Sequence, residues 1–484
     1  MVQLATVIKA LKKHQYALAV FVTVACVLVI EVVAVRLLSP YFGATTFTIS
    51  SVLSTILAAL SLGYYFGGRL ADRRPHCYLF YTIILFSGLA TLAIHFIGKL
   101  FLPFLGVALP LSYGPLVSAL VLFLLPAILL GTLSPFAIKL ASLNSEETGI
   151  GSISGKIFFF STMGSICGSL AAGFILIPLF GISQIFIGTG IALVSLGLFP
   201  LIFSGNINKL LTVLIFSLVV SSVSVSKAMD TQPEGVVFQT DGVYEQILVY
   251  TSIFQDRPIS VLRQDRTTSG GMYLDSNDPT DLVFDYTKYY SLYKLFKPDV
   301  AQAFFVGGGA YSIPKAMLAE LPEVEIDVAE IEPELFAIAQ KYFAVPDHPR
   351  LHNHVEDGRR FLQQTDKSYD FIFSDAYSTL YSTPAHLTTK EFFELGKERL
   401  SPGGIFIANL IGDLETESPS YILSEIKTFN EVFPNSYYFA VASPESNDSQ
   451  NVIIVGVNSE EELSLTPPPG VIITDEVLRT LSEH

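Results

Sequence analysis

The sequence predicts two folds in series. An α-helical multi-pass membrane domain comes first, and an α/β Rossmann-like domain with a small N-terminal β module follows. Three observations carry that reading. Half of the 484 residues are apolar and only 15% are charged, well below the roughly 25% of an ordinary soluble domain. The charge is also divided: residues 1–229 hold 12 Lys/Arg and 4 Asp/Glu, whereas residues 230–484 hold 17 and 40. The hydrophobic pattern changes near residue 230, from runs of about 20 apolar residues to short β-like runs alternating with helical stretches. The boundaries that follow are 1–229 for the membrane domain, 230–299 for the β module, 300–460 for the Rossmann-like domain and 461–484 for an acidic tail.

This composition excludes intrinsic disorder and a purely soluble protein. A net charge of −23 on the second half also argues against a nucleic-acid partner, because phosphate binding needs a basic surface. The three cysteines, Cys26, Cys77 and Cys167, all lie in or beside apolar runs of the first half. No disulfide framework or CxxC zinc site can form in the acidic half, and no metal is expected.

Runs long enough to span a bilayer fall at about 16–38, 47–67, 77–97, 115–141, 155–179 and 182–203, with a shorter seventh at 208–227. Residues 100–113 are apolar but short and interrupted by proline, and would be an eighth crossing if they span. The first run is too long for a cleavable signal peptide and is followed by more spans. Counted over seven spans, nine Lys/Arg (Lys9, Lys12, Lys13, Arg69, Arg73, Arg74, Lys139, Lys156, Lys209) fall on the N-terminal side and three (Arg36, Lys99, Lys227) fall opposite. That bias places the N-terminus in the cytosol. Seven crossings then put the acidic half outside, and eight put it inside.

Within the spans, Gly63, Gly67 and Gly68 followed by Arg69-Leu-Ala-Asp72-Arg73-Arg74 resemble the loop after the second helix of major-facilitator transporters. The plainer reading is a positive-inside loop after a small-residue helix face. Glu31 is the acid well inside a span, and such residues are functional candidates by default; pairing with Arg36 is the alternative. His95 reads as a packed residue. Gly164, Gly168, Ala171, Ala172 and Gly173 read as close helix packing.

In the acidic half, Val236-Val-Phe, Gln246-Ile-Leu-Val-Tyr and Ile259-Ser-Val-Leu form the β module. Ala303–Val306, Glu325–Ile331, Tyr369–Ser374, Gly404–Ala408, Tyr437–Val441 and Asn451–Val455 then alternate with helical stretches, the pattern of a doubly wound parallel sheet. Ligands of such sheets bind at the carboxyl ends of the strands, where the chemical residues gather. Gly307, Gly308 and Gly309 follow the first strand and let a ligand approach the backbone. Glu330 ends the second strand, about 20 residues later, where an acid suits the two hydroxyls of a ribose. Asp357 and Gly358 follow a third strand that precedes Tyr369–Ser374, the fourth, and there a carboxylate can accept an adenine amino group. Asp375 ends the fourth and faces the same crevice. Singly these are weak, since a glycine turn is often only a turn and a strand-end acid is often only solvated. Four in register point to an adenosine-type ligand. Ser312-Ile313-Pro314 follows the glycines where a dinucleotide enzyme would have a further glycine.

The stretch from about 235 to 410 resembles the spermidine synthases, which transfer an aminopropyl group from decarboxylated S-adenosylmethionine, on the fold they share with class I methyltransferases. The whole architecture is similar to the bacterial membrane-fused members. Tyr244-Glu-Gln246 looks like the family's Tyr-Gln element, which implies that Gln246 contacts the nucleoside. Gly307–Gly309 match the glycine loop, Glu330-Ile-Glu332 resembles the Glu-Ile-Asp that holds the ribose, and Asp357-Gly358 matches the Asp-Gly at adenine. Asp375 matches the first Asp of Asp-Ser-Ser-Asp-Pro, and Thr383-Pro384-Ala385 resembles the Gly-Pro-Ala near adenine. Three positions depart. Ala310, Ser378 and Lys288 stand where the family has carboxylates that face cationic amines. Burying ammonium groups without partners is costly, so putrescine is doubtful as the acceptor.

The resemblance implies S-adenosylmethionine or its decarboxylated form as substrate, with methylthioadenosine released and Asp375 as general base. Neighbouring possibilities are a lyase in which the sulfonium's own carboxylate attacks, a methyltransferase, and a non-catalytic nucleoside sensor coupled to a transporter-like membrane half. The expected partners are the small-molecule nucleoside and the lipid bilayer; an oligomer is compatible with the sequence. The expected location is the bacterial inner membrane. The acidic half is placed in the cytosol, where S-adenosylmethionine is made, against the seven-span charge count.

Overall fold

The structure, a computed structural model, describes residues 2–203 and 235–459, except 44, 111, 145–148, 266, 378–382, 413, 415–420, 444–445 and 447. It divides into two compact units, Met1–Gln232 and Pro233–His484.

Six stretches of the first unit are helical, long and apolar enough to cross a membrane: His14–Phe42, Thr46–Arg73, Cys77–Ala108, Gly114–Leu143, Ile150–Leu179 and Ile182–Ile202. The run at 208–227 lies outside the described residues. Residues 100–108 are not a separate crossing, because Cys77–Ala108 is one 32-residue helix that runs through Pro103. The option of an eighth span resting on residues 100–113 therefore falls.

Two spans carry local breaks with proline causes. Pro135 has no N–H to give the carbonyl of Gly131, four residues back, and the helix Gly114–Gly131 ends there before Leu133–Asn144 begins. Near Pro178 the last turns of the fifth span widen into a π-helix at Ala172–Leu176.

Glycines set the helix spacing. A Cβ on Gly63 would meet the Ile128 carbonyl oxygen at 2.4 Å, and one on Gly67 would meet Thr132 Cα at 2.5 Å. Gly164 and Gly168 lie equally close to the backbones of Phe21 and Ala25, whereas Gly173 has nothing within 4 Å. The close-packing reading thus holds for Gly164 and Gly168 and fails for Gly173. His95 is buried. At the positive end of the unit, Lys139 pairs with Asp72 at 2.9 Å.

The second unit starts with a four-stranded antiparallel meander: β1 Val236–Asp241, β2 Gln246–Phe254, β3 Arg257–Gln264 and β4 Thr267–Tyr273. Strand β4 escaped the sequence reading because Gly270 and Gly271 weaken its β pattern. Those glycines make room: a Cβ on Gly270 would strike Ala310, and one on Gly271 would press on Phe284.

A seven-stranded sheet follows, made of β5 Gln302–Val306, β6 Glu325–Glu330, β7 Leu351–Val355, β8 Tyr369–Ser374, β9 Leu400–Gly412, β10 Ser436–Ala440 and β11 Gln450–Val457. The order is β10-β11-β9-β8-β5-β6-β7. The run from β7 to β9 is parallel, while β11 and β10 join antiparallel. The sheet is therefore mixed at one edge rather than wholly parallel.

Its residues alternate between two buried layers. Ala303, Phe305, Val328, Phe371 and Ile407 pack on one face; Phe304, Val306, Ala329, Ile372 and Phe406 pack on the other. A sheet covered on both faces needs apolar side chains in both directions, which explains its unbroken hydrophobic runs. The meander packs Ile247, Val249 and Leu262 against Ala310, Leu335 and Phe343.

Helix packing gives a paired prediction. Gly67→Val must push a side chain into the Thr132 backbone and should destabilise the helical unit by about 1–3 kcal/mol. Gly68→Ala, whose nearest neighbour is Pro135 at 3.9 Å, should be neutral. Melting of the two full-length variants in detergent checks this, and equal behaviour would refute the packing argument.

Candidate active site

The strand order reverses between β5 and β8, and α/β sheets bind ligands at such a switch point. The register places the strand ends side by side: Val306 opposite Ala329 and Ser374, and Glu330 opposite Val355. Gly307–Gly309, Glu330, Asp357 and Asp375 consequently share one edge of the sheet. Gly307 and Gly309 have φ of +89° and +51°, a region that side chains resist. Any Cβ on Gly307 would also press on the Asp375 carbonyl oxygen at 2.9 Å.

Glu330 is buried at the end of β6. One carboxylate oxygen accepts the Gly308 N–H at 2.8 Å and the other accepts the Glu332 N–H at 2.8 Å. Burial lifts its carboxyl above the ordinary range, opposed by these N–H groups. The Gly309 N–H is drawn to the carboxylate as well, and of its roughly four lone-pair sites at least one is left for a hydroxyl.

Glu332, read from sequence only as part of a motif, has a separate task. Its two oxygens accept the Val243 and Tyr244 N–H groups at 3.1 and 2.8 Å, which ties the β1–β2 turn to the end of β6. Gln246 begins β2 there. Its side-chain N–H donates to Asp241 at 3.0 Å, and its backbone N–H donates to Asp265 at 2.9 Å.

Asp357 caps the helix Gly358–Gln364 by accepting the Arg360 N–H at 2.9 Å. Its other oxygen lies 2.7 Å from His386 Nε2. Arg359 reaches the His386 carbonyl at 2.8 Å and the Thr389 hydroxyl at 3.2 Å. These contacts tie the Pro384-Ala385 turn to Asp357, a link the sequence reading missed although His386 directly follows that motif.

Asp375 follows β8, with its N–H on the Val306 carbonyl at 3.0 Å. Burial pushes its carboxyl up to about 6, and a hydrogen bond from Asn409 opposes the shift. That bond is 2.8 Å, from Nδ2 to Oδ1. Two half-buried phenols stand near: the charge of Asp375 helps raise both Tyr286 and Tyr377, behind burial itself. Neither phenol nor Asn409 was among the expected site residues. Tyr286 opens the Tyr286-Thr-Lys288 segment, and Asn409 ends the apolar run of β9.

Of the three departing positions, Ala310 is buried against Gly270, and Lys288 lies 2.7 Å from Asp285. Ser378 lies outside the described residues.

Residues 295–465 match the family described as the spermine/spermidine synthase domain. The acidic half carries a spermidine synthase-type domain. Among similar proteins, the polyamine aminopropyltransferase of Vibrio vulnificus is 27% identical over 219 residues, which is 44% of this chain and 70% of that one. The polyamine aminopropyltransferase of Chromobacterium violaceum is 31% identical over 137 residues, which is 28% of this chain and 52% of that one. A probable spermidine synthase from Corynebacterium glutamicum overlays with a TM-score of 0.44 at 23% identity, covering 51% of this chain and 88% of that one. The chain thus spans 52% to 70% of the length of these two curated relatives, and the family region leaves the helical unit outside it.

The raised carboxyl of Asp375 gives the spermidine synthase-type domain a pH signature. The folded state holds this proton more tightly than the unfolded chain, so the group's contribution is full below pH ~4 and lost as pH rises through ~6. Asp375→Asn removes that loss and should stabilise the protein by roughly 2–3 kcal/mol above pH 7, with little effect at pH 4. Denaturation of the two full-length proteins from pH 4 to 8 checks this. A difference that stays flat across pH would mean the carboxyl ionises normally.

Proposed function

We propose that the second unit transfers an aminopropyl group from decarboxylated S-adenosylmethionine to an amine, with Asp375 as general base. One observation carries this reading most directly. A largely buried carboxyl, pushed up to about 6, stands at the switch point beside the glycine turn of a spermine/spermidine synthase domain. A base poised near the working pH can take a proton without being permanently protonated.

The nucleoside is held by the remaining strand ends. Glu330 accepts the ribose hydroxyls, Asp357 and the Pro384-Ala385 turn receive the adenine, Gln246 closes from the meander, and Gly307–Gly309 allow close backbone approach. In the reaction, the acceptor nitrogen's lone pair attacks the propyl carbon bonded to the sulfonium. The carbon–sulfur bond breaks, its electron pair goes to sulfur, and neutral methylthioadenosine leaves. The new ammonium's proton goes to Asp375. Because the sulfonium already activates the carbon, positioning and deprotonation suffice.

The acceptor differs from a simple diamine in this reading. Lys288 is cationic where the resemblance implies a carboxylate, and Ala310 packs under Gly270. A cationic far end of the acceptor would find weak support there. The surroundings of Asp375 suit a less charged amine lodged between Tyr286 and Tyr377.

We further place this chemistry on a multi-pass membrane protein of the bacterial inner membrane with its catalytic unit in the cytosol, where the donor is made. Support comes from six helices of sufficient length and apolarity and from the basic flanks Arg69, Arg73, Arg74 and Lys139. A reporter fused after His484 that is active only outside the cytosol would overturn the placement.

The decisive experiment incubates purified full-length protein with decarboxylated S-adenosylmethionine and a panel of amines, read by mass spectrometry. The expected products are methylthioadenosine and an aminopropylated amine other than spermidine, with at least 1,000-fold loss of rate in Asp375→Asn and retained nucleoside binding. Methylthioadenosine from S-adenosylmethionine alone would make it a lyase, and S-adenosylhomocysteine would make it a methyltransferase. Tight nucleoside binding with no product would leave a sensor.

A further inference from the structure

We propose that Asn409 and Asn451 are positioning residues for Asp375, a two-amide chain that fixes which carboxylate oxygen is left for the acceptor. The inference rests on the aminopropyl-transfer reading and deepens it.

The chain is a product of sheet register. Strands β9 and β11 pair antiparallel, with Asn409 opposite Ile453 and Asn451 opposite Ile411. The two asparagines are therefore diagonal neighbours on the same face of the sheet. Asn451 Nδ2 donates to Asn409 Oδ1 at 2.9 Å, and Asn409 Nδ2 donates to Asp375 Oδ1 at 2.8 Å.

The chemistry permits one direction. An ionised carboxylate only accepts, so the end of Asn409 that faces it must be the NH₂ group. The other end is then the carbonyl, which needs a donor, and Asn451 supplies it. Turning the Asn409 amide over would set oxygen against oxygen at Asp375 and NH₂ against NH₂ at Asn451. The strand is pinned as well, because the Tyr377 hydroxyl donates to the Asn409 backbone carbonyl at 2.6 Å. Asn409 is 4% exposed, which leaves solvent little room to replace a lost bond.

The consequence for catalysis is twofold. Oδ1 of Asp375 is occupied and Oδ2 is kept for the proton. The Asn409 donor also favours the ionised form, which holds the carboxyl down against burial. The titratable groups around this chain are Tyr286 on the turn Asp285–Lys288, Tyr377 after β8, and the buried Glu425 on the helix Tyr421–Val432, whose charge is felt at Tyr377. None of these three brings a positive charge to Asp375.

The test is the pH profile of kcat/KM in the full-length protein, with methylthioadenosine affinity measured beside it. Asn409→Leu removes the donor and should move the acid limb up by about one pH unit. Asn451→Asp should turn the Asn409 amide over and move the limb the same way by at least as much. Asn451→Leu, which adds no charge, should give a smaller shift in that direction. Methylthioadenosine affinity should stay within about twofold in all three, because the chain touches Asp375 and none of the strand ends assigned to the nucleoside.

A second readout needs no turnover. The ionisation of Asp375 is followed as the pH-dependent stability difference between each variant and its Asp375→Asn double. The midpoint should rise in the same order as the acid limb. If the wild type turns over no amine, the reaction assignment fails and this stability titration still decides the positioning claim. An Asp375 midpoint unmoved in both Asn409→Leu and Asn451→Asp overturns it.

Discussion

Glu330 is the constraint around which the second unit is arranged. A buried carboxylate without hydrogen-bond partners would cost several kcal/mol, so its surroundings must supply donors. The two that do are the Gly308 and Glu332 N–H groups. Meeting that demand draws the glycine turn after β5 onto the end of β6. Glu332, fixed two residues away, then clamps the β1–β2 turn of the meander through Val243 and Tyr244. Glu330 and Glu332 together thereby join the two sheets, and the positive φ of Gly307 and Gly309 is what lets the turn comply.

The parts of this arrangement visible in sequence are the local ones. Apolar runs of span length reveal helices because lipid demands about 20 such residues in a row. Strands buried on both faces reveal themselves as short unbroken runs such as Ala303–Val306. The glycine turn and the acids Glu330, Asp357 and Asp375 are legible because each sits just past such a run. Direction is less legible: a buried run looks the same in a parallel or an antiparallel strand, so the reversal at β11 and β10 has no local signature. Strand β4 was hidden by the glycines that its neighbours require. Residues 100–108 looked like a fragment because Pro103 interrupts an apolar stretch that the helix in fact continues through.

Nonlocal partnerships were the least legible. His386 meets Asp357 across 29 residues, and Asn451 meets Asn409 across 42. Such pairs are set by sheet register and loop closure, which no spacing rule encodes. They also share a chemical logic. Each strand-end acid of the site spends one or both oxygens on a protein donor: Glu330 on backbone N–H groups, Asp357 on a helix cap and an imidazole, Asp375 on an amide. Burial raises the cost of the charge on Glu330 and Asp375, and their donors oppose it.

The same logic separates the two ends of the site. Around Glu330 the donors are backbone N–H groups, which substitution does not remove, while Asp357 combines a backbone N–H with the His386 imidazole. At the Asp375 end the donor is a side chain that depends on another side chain. In the proposed reaction, such a scaffold would hold the nucleoside while leaving the acceptor end open to change. Of the replaced positions, Ala310 packs beneath the meander next to the glycine turn, and Lys288, two residues from Tyr286, pairs with Asp285. The proposal of an acceptor unlike putrescine thus draws on the side-chain hold at Asp375 as well as on the carboxylates replaced at Ala310 and Lys288.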